Sequence, residues 1–280
     1  MARWNGVSEK NRNGKTSARQ ALQAQRERDK ARAKRKRTLT VAGAVVVVLA
    51  AAAGISIAVA DRDSGTKTGS GDSAGSVTAP RGAAGKDDLV IPVGAADAPS
   101  TLTVYEDFRC PACDEFEKTF TPTIHGLEDS GELRTEYHLV TLIDGNLGGD
   151  GSLNAGNAAA CAQDEGKFRP YHDVLYDNQP DEQDDRFGDK KNLLTLAAKV
   201  PGLKNASFTA CVDNGTHDAW VKKSNEAFDS AGFGSTPTVL LNGKNIYGST
   251  ALTPDSLKQM VQAANKGKKP GKVTPTAGPS

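Results

Sequence analysis

The chain has 280 residues, of which 37% are hydrophobic, 25% charged and only 5% aromatic. This composition excludes a fibrous or wholly disordered protein, and the length suits one sizeable core rather than two. The net charge of +1 argues against a nucleic-acid partner, but the charges are divided by position, because residues 1–37 carry +10 and the rest of the chain −9.

An uncharged segment, residues 38–60, separates these two regions. As a helix its 23 residues would span about 34 Å, enough for a hydrocarbon core of roughly 30 Å. The basic run 34–37 precedes it, so the positive-inside rule places residues 1–37 in the cytoplasm and the chain after residue 61 outside. We predict an uncleaved transmembrane anchor, with a signal peptide cleaved after Ala60 as the alternative. Positive charge beside a membrane span is expected both for its orientation and for attraction to anionic lipid, so the basic residues 1–37 do not require a nucleic-acid partner, and we expect none.

The remaining chain divides by composition into a linker, one domain and a tail. Residues 61–87 are rich in small polar residues and predict a flexible tether, and residues 267–280 predict a disordered tail. The 179 residues between them, 88–266, suit one domain.

Within this domain, hydrophobic patterning predicts strand, helix, strand, several helices, hairpin and helix. Residues 101–106 alternate as a strand, and apolar residues spaced by three and four after Cys113 predict a helix ending near Gly131. A second strand is predicted over 134–142 and an Ala-rich helical insertion over about 152–231. The Asn242-Gly243 pair indicates a type I′ hairpin over 237–247, and a last helix should run from 253 or 255 to about 264.

The four cysteines, Cys110, Cys113, Cys161 and Cys211, all follow the predicted span, where disulfides persist. Their even number suits two pairs. We predict that Cys161 and Cys211 form a buried structural disulfide between two helices of the insertion.

The other two cysteines form the motif Cys110-Pro111-Ala112-Cys113 between a predicted strand and a predicted helix. At a helix N-terminus, free amides favour the thiolate of Cys110, which makes it the expected nucleophile. Cys113, one turn further on and facing inward, can resolve a mixed disulfide formed at Cys110. A zinc site would need a second ligand pair at short spacing, which the other cysteines lack, so we expect no metal. An inert structural disulfide remains the other alternative.

Several residues near the motif have two interpretations. Glu106 and Asp107 form either a solvated strand end or a buried carboxylate that moves protons during exchange. Phe108 either belongs to the core or is exposed beside Cys110 and holds substrate. For the four histidines we expect no catalytic role.

Phe108-Arg109-Cys110-Pro111-Ala112-Cys113, the long helical insertion and Ser235-Thr236-Pro237-Thr238 before a hairpin together resemble the DsbA-like thiol-disulfide oxidoreductases. The closest likeness is to the membrane-anchored or secreted actinobacterial members, over about residues 88–266. The resemblance implies a thioredoxin fold with a helical domain inserted after the second strand. It also implies oxidation of secreted polypeptides and reoxidation by a quinone-linked membrane partner of the DsbB or vitamin K epoxide reductase type.

The resemblance further implies that Thr236-Pro237 is a cis-proline loop facing the active cysteines. A proline at the start of an internal strand independently favours a cis bond. The sequence departs from the family at Pro111-Ala112, where many of its oxidases have Pro-His, and this dipeptide helps to set thiolate stability.

The sequence therefore predicts a monomeric, extracytoplasmic thiol-disulfide oxidoreductase without a cofactor. Cys110, Cys113 and Pro237 are its expected catalytic residues, and expected substrate contacts are Phe108, Pro111, Ala112 and Thr236. The alternatives are a reductase or isomerase on the same fold, and a membrane-anchored binding module in which the cysteine pair is a structural staple.

Overall fold

The computed structural model describes residues 77–248 and 252–273. The predicted cytoplasmic segment 1–37 and transmembrane segment 38–60 lie outside the described residues, as do most of the linker and the end of the tail. Within the described ranges, no helix combines the length and the apolar character needed to cross a membrane.

A five-stranded mixed sheet forms the centre of the domain. Its strands are β1 (Ile91–Gly94), β2 (Ser100–Glu106), β3 (Leu133–Leu139), β4 (Thr238–Leu241) and β5 (Lys244–Asn245), in the order β1-β3-β2-β4-β5. The central pair, β2 and β3, is parallel, and the other neighbours are antiparallel. Alternate residues of β2, from Leu102 through Val104 to Glu106, are buried, so the strand carries Glu106 into the core at its carboxyl end.

Helix α1 (Pro111–Asp129) connects the parallel pair and follows β2 after a short turn. It buries Phe116, Phe120, Ile124 and Leu127 on one face, as their spacing predicts. It packs against the last helix, α8 (Pro254–Ala264), and against β3. The parallel crossover through α1 places the N-terminus of this helix at the carboxyl end of β2.

The connection from β3 to β4 is helical. Its helices are α2 (Leu142–Leu147), α3 (Gly151–Asp164), α4 (Phe168–Asp177), α5 (Lys190–Ala197), α6 (Ala206–Asn214) and α7 (Asp218–Ser230). Helix α3 lies at the centre of this insertion against α4, α6 and α7. Its small residues allow this approach, because a Cβ atom at Gly156 would lie only 3.0 Å from Cγ1 of Val221 on α7.

The order of elements agrees with the sequence analysis, with three differences in detail. Strand β1 was not predicted, because it is short, contains Pro92 and lies at the sheet edge, where proline is tolerated. Strand β3 ends at Leu139 rather than at residue 142, because the chain enters α2, so the helical insertion begins at Leu142 rather than at about residue 152. In the hairpin, Asn242 and Gly243 have the positive φ angles of a type I′ turn, 49° and 81°. Its second strand nevertheless ends at Asn245.

Candidate active site

Cys110 occupies the N-cap position of α1, with extended backbone angles. Its carbonyl oxygen accepts hydrogen bonds from the backbone N–H groups of Cys113 at 3.0 Å and Asp114 at 3.2 Å. Pro111 begins the helix, where its missing N–H has no intrahelical partner to lose. The sulfur of Cys110 therefore lies at the end of the helix where unpaired amides and the macrodipole favour negative charge.

The pKa of Cys110 is lowered from 9.0 to about 6. The largest cause is a hydrogen bond from the Cys113 thiol, while burial of Cys110 acts in the opposite direction and raises the pKa. Hydrogen bonds from the Thr236 side chain and from the backbone N–H groups of Cys113 and Ala112 lower the pKa further. At neutral pH the reduced site therefore holds a thiolate at Cys110, the form that attacks disulfides.

Cys113 has the opposite environment. It is 1% exposed, against 7% for Cys110, and burial raises its pKa well above 9.0, as do the hydrogen bond to Cys110 and the charges of Cys110 and Glu106. Cys113 therefore remains a thiol when Cys110 is ionised. This asymmetry is the one expected between an attacking cysteine and a resolving cysteine.

The loop between α7 and β4 lies opposite the two cysteines. The peptide bond between Thr236 and Pro237 is cis, and the Cys110 thiol donates to the carbonyl oxygen of Thr236 at 3.4 Å. The Thr236 hydroxyl is buried beside Cys110, and as a hydrogen-bond donor to the thiolate it helps to lower the pKa of Cys110. The structure thus brings Thr236 and Pro237 to the motif across 126 positions of sequence.

Of the expected substrate contacts, Pro111 is exposed, Ala112 is half-buried and Thr236 is 7% exposed. Phe108 is 1% exposed and packs against the rings of His172 and Tyr176. The ring of Phe108 therefore belongs to the core and is not exposed beside Cys110, because it packs against two rings of α4.

Glu106 and Asp107 are both buried, so the interpretation as a solvated strand end is wrong. Oε1 of Glu106 lies 2.9 Å from Nε2 of His172. Asp107 accepts hydrogen bonds from the backbone N–H groups of Arg109 and Ile143, both at 2.8 Å, while burial raises its pKa to about 7. The burial of both carboxylates is the condition on which the other interpretation, a carboxylate that moves protons during exchange, depends.

Sequence reasoning missed two residues that fix the backbone around Cys110. Gln179 donates through Nε2 to the carbonyl oxygens of Phe108 at 3.0 Å and Cys110 at 3.1 Å. Arg109, 2% exposed, lies 2.7 Å from Asp144 and 3.1 Å from Asp185. Both residues tie the motif to the helical insertion. Neither stands in a local pattern that would reveal such a contact.

The remaining two cysteines form a disulfide that joins α3 to α6. Cys161 is fully buried, whereas Cys211 is half-buried, so the bond is less enclosed than expected. It lies within the insertion and contributes no group to the pair at Cys110 and Cys113.

The chain is similar in sequence and in fold to known proteins. Residues 86–263 match the family model described as thioredoxin. Disulfide bond formation protein D of Bacillus subtilis is 26% identical over 179 residues, which cover 63% of this chain and 77% of that protein. Two structures from Mycobacterium tuberculosis, each 28% identical and covering 65% of this chain, are also similar. The reduced form of the disulfide bond oxidoreductase DsbG has a TM-score of 0.56, and the match covers 89% of its chain. Reduced DsbA has a TM-score of 0.55, and the match covers 95% of its chain.

Proposed function

The chain belongs to the thioredoxin family and, within it, to the DsbA-like thiol-disulfide oxidoreductases, and on this premise we propose that it forms disulfide bonds in secreted proteins outside the cytoplasm. The observation that carries this direction is the stabilised thiolate of Cys110, with a pKa of about 6. Stabilising the reduced form makes the corresponding disulfide easier to reduce and therefore a stronger oxidant.

The reaction begins with the oxidised pair, in which Cys110 and Cys113 are joined. A substrate thiolate attacks the sulfur of Cys110, the more exposed of the two, and the bond to Cys113 breaks. Cys113 leaves as a thiolate and takes up a proton, because burial raises its pKa. A second substrate thiolate then attacks the substrate sulfur of the mixed disulfide and releases Cys110 as a stabilised thiolate. The substrate loses two electrons and the cysteine pair gains them.

An extended substrate segment would bind between the exposed end of α1 and the loop before β4. Pro111 and Ala112 provide the accessible surface on one side, and Thr236 with Pro237 provides the other. Pairing of substrate backbone with Thr236 would hold the substrate sulfur beside Cys110, in the manner of strand addition.

We place this domain, about residues 88–266, on the outer side of the membrane as a monomer. The anchor would be the uncharged segment 38–60, the tether would lie within residues 61–87, the disordered tail within 267–280, and residues 1–37 would lie in the cytoplasm. The described parts of both segments contact the domain, since Ala84 pairs with Val90 and the backbone N–H of Gly271 donates to the carbonyl oxygen of Gly131 at 2.8 Å. A quinone-linked membrane protein of the DsbB or vitamin K epoxide reductase type would reoxidise the cysteine pair. In intact cells, external protease should remove the domain and leave residues 1–37 protected. Release of a domain that begins at Asp61 would instead support a signal peptide cleaved after Ala60.

The direct test of the function is oxidation of a reduced, unfolded protein that needs disulfides to become active. The oxidised chain should restore the substrate's activity, one substrate disulfide forming per Cys110–Cys113 bond consumed. Cys110→Ser should abolish this transfer, while replacement of both Cys161 and Cys211 by Ala should preserve it. A chain that reduces insulin readily but does not oxidise the unfolded protein would favour a reductase. A chain that exchanges with neither would favour the binding module.

A further inference from the structure

Three ionisable side chains from different elements meet in the core. Glu106 ends β2, Glu117 lies on α1 and His172 on α4, and one ligand-type atom from each lies within 4.8 Å of the other two. All three residues are buried, with 0%, 3% and 2% of their surfaces exposed. Glu106 and His172 are 66 positions apart, so no local spacing in the sequence indicates this cluster.

Several oxygen atoms at this cluster have unmet hydrogen-bonding capacity. Within the portion of the chain that the structure describes, Glu106 Oε2, Glu117 Oε1 and the hydroxyl of Tyr176 are buried without a hydrogen-bond partner. Tyr176 borders the cluster, because its ring packs against the ring of His172 with the two centroids 5.0 Å apart. Buried polar atoms are normally satisfied, and leaving them unpaired is costly. These oxygens therefore indicate a cation-binding environment.

The charge of the cluster is compatible with a divalent cation. Without a metal, a protonated His172 pairs with Glu106 at 2.9 Å, and Glu117 Oε2 accepts a hydrogen bond from the Thr121 hydroxyl at 2.8 Å. A metal would bind the neutral form of His172 in place of that proton, and Glu106 and Glu117 carry two formal negative charges when ionised. Buried charges are paired or coordinate metal ions, since isolated ones are expensive to desolvate. A divalent cation balances two carboxylates and a neutral imidazole.

The ligand types and their surroundings narrow the choice of cation. One imidazole nitrogen with carboxylate oxygens suits Zn²⁺ and related transition-metal ions, whereas Ca²⁺ and Mg²⁺ prefer oxygen ligands alone. Nε2 of His172 faces Glu106 Oε1 at 2.9 Å, and its Nδ1 lies 3.5 Å from Oδ1 of Asp173. A carboxylate beside the second nitrogen is the usual arrangement that orients a metal-binding histidine.

The cluster also has a route to the surface. A cavity of about 250 Å³ is lined by Glu117, Tyr176 and Asp173, among other residues, and Asp173 is 32% exposed. We propose that Glu106, Glu117 and His172 form a binding site for a divalent transition-metal cation of the Zn²⁺ type, which enters through this cavity. The expectation of no metal rested on the cysteines alone, and none of them belongs to this site.

The test uses the full chain in detergent, without a polyhistidine tag, stripped of metal and oxidised at Cys110 and Cys113. Oxidation removes the free thiols that would otherwise bind Zn²⁺. Titration with Zn²⁺ alone should give one ion per chain, retained through gel filtration. Glu117→Gln and His172→Asn should each weaken binding by at least about 100-fold, since even outer partners of a metal site contribute about 10- to 100-fold. Glu128→Gln is the matched control, because Glu128 is a buried glutamate on the same helix outside the cluster, and it should bind as the unmodified chain does.

X-ray absorption on the unmodified Zn²⁺-loaded chain provides a measurement that does not depend on the variants' folding. It should show oxygen and nitrogen ligands at about 2.0–2.2 Å, including one imidazole, and no sulfur at about 2.3 Å. The proposal is overturned if the chain retains no Zn²⁺, if folded Glu117→Gln binds as tightly as Glu128→Gln, or if the absorption spectrum shows sulfur or several imidazoles.

Discussion

Replacing Cys113 with alanine removes the interaction that contributes most to the low pKa of Cys110. A hydrogen bond to a charged group contributes about 1.5–3 kcal/mol, which corresponds to roughly 1–2 pKa units. The pKa of Cys110 should therefore rise from about 6 to about 7–8 in Cys113→Ala. At pH 7 the thiolate fraction should fall from about 90% to between about 50% and 10%, while the limiting fraction at high pH stays the same.

The assay is the rate of alkylation of the reduced protein as a function of pH, supported by the ultraviolet absorbance of the thiolate. Only one thiol remains in the variant, because Cys161 and Cys211 form a disulfide. Cys113→Ser is the matched control: its hydroxyl keeps a hydrogen-bond donor, so its midpoint should stay near that of the unmodified chain. If Cys113→Ala also titrates at about 6, the N-terminus of α1 and Thr236 suffice to stabilise the thiolate, and the role assigned to Cys113 is refuted.

Three further predictions concern stability. Replacing Cys161 and Cys211 by alanine removes a disulfide that links residues 50 positions apart, and it should lower the free energy of unfolding by up to about 4 kcal/mol in the chain-entropy model. An unchanged melting temperature would contradict this. Arg109→Ala leaves Asp144 largely buried without its cation and should lower the unfolding free energy by about 3 kcal/mol in urea, whereas a loss below about 1 kcal/mol would show the pair to be unimportant. The folded pKa of Cys110 lies below its ordinary value of 9.0, so thiolate stabilisation of the reduced protein is fully present above about pH 9 and is lost as pH falls through about 6. Between pH 5 and pH 7, the free energy of unfolding of the reduced protein should rise by about 1.4 kcal/mol relative to that of the oxidised protein. A difference between the two forms that does not change with pH would contradict the lowered pKa of Cys110.

The elements that the sequence predicts well are those with local signals. Alternation in β2, the apolar spacing in α1 and the Asn242-Gly243 turn each depend on residues close together in the chain. Alternation also indicates the burial of Glu106, since this residue lies on the same face of β2 as the buried Leu102 and Val104. The burial of Glu106 could therefore have been predicted.

Contacts between distant segments could not be predicted in this way. Gln179 reaches the carbonyl oxygen of Cys110 across 69 positions, and Arg109 meets Asp144 across 35. Such pairs depend on how the insertion folds back over the motif, which periodicity does not specify. Thr236 and Pro237 were placed beside Cys110 partly by family resemblance, because the residues alone indicated only an unusual strand start.

The measurement that tests the central claim most directly is the equilibrium of the Cys110–Cys113 disulfide with glutathione. A stabilised Cys110 thiolate predicts an easily reduced disulfide, with a potential between about −120 mV, as in a strongly oxidising DsbA, and about −180 mV, as in protein disulfide isomerase. A potential near the roughly −270 mV of thioredoxin would contradict the account, because the pair would then favour reduction of substrates over their oxidation.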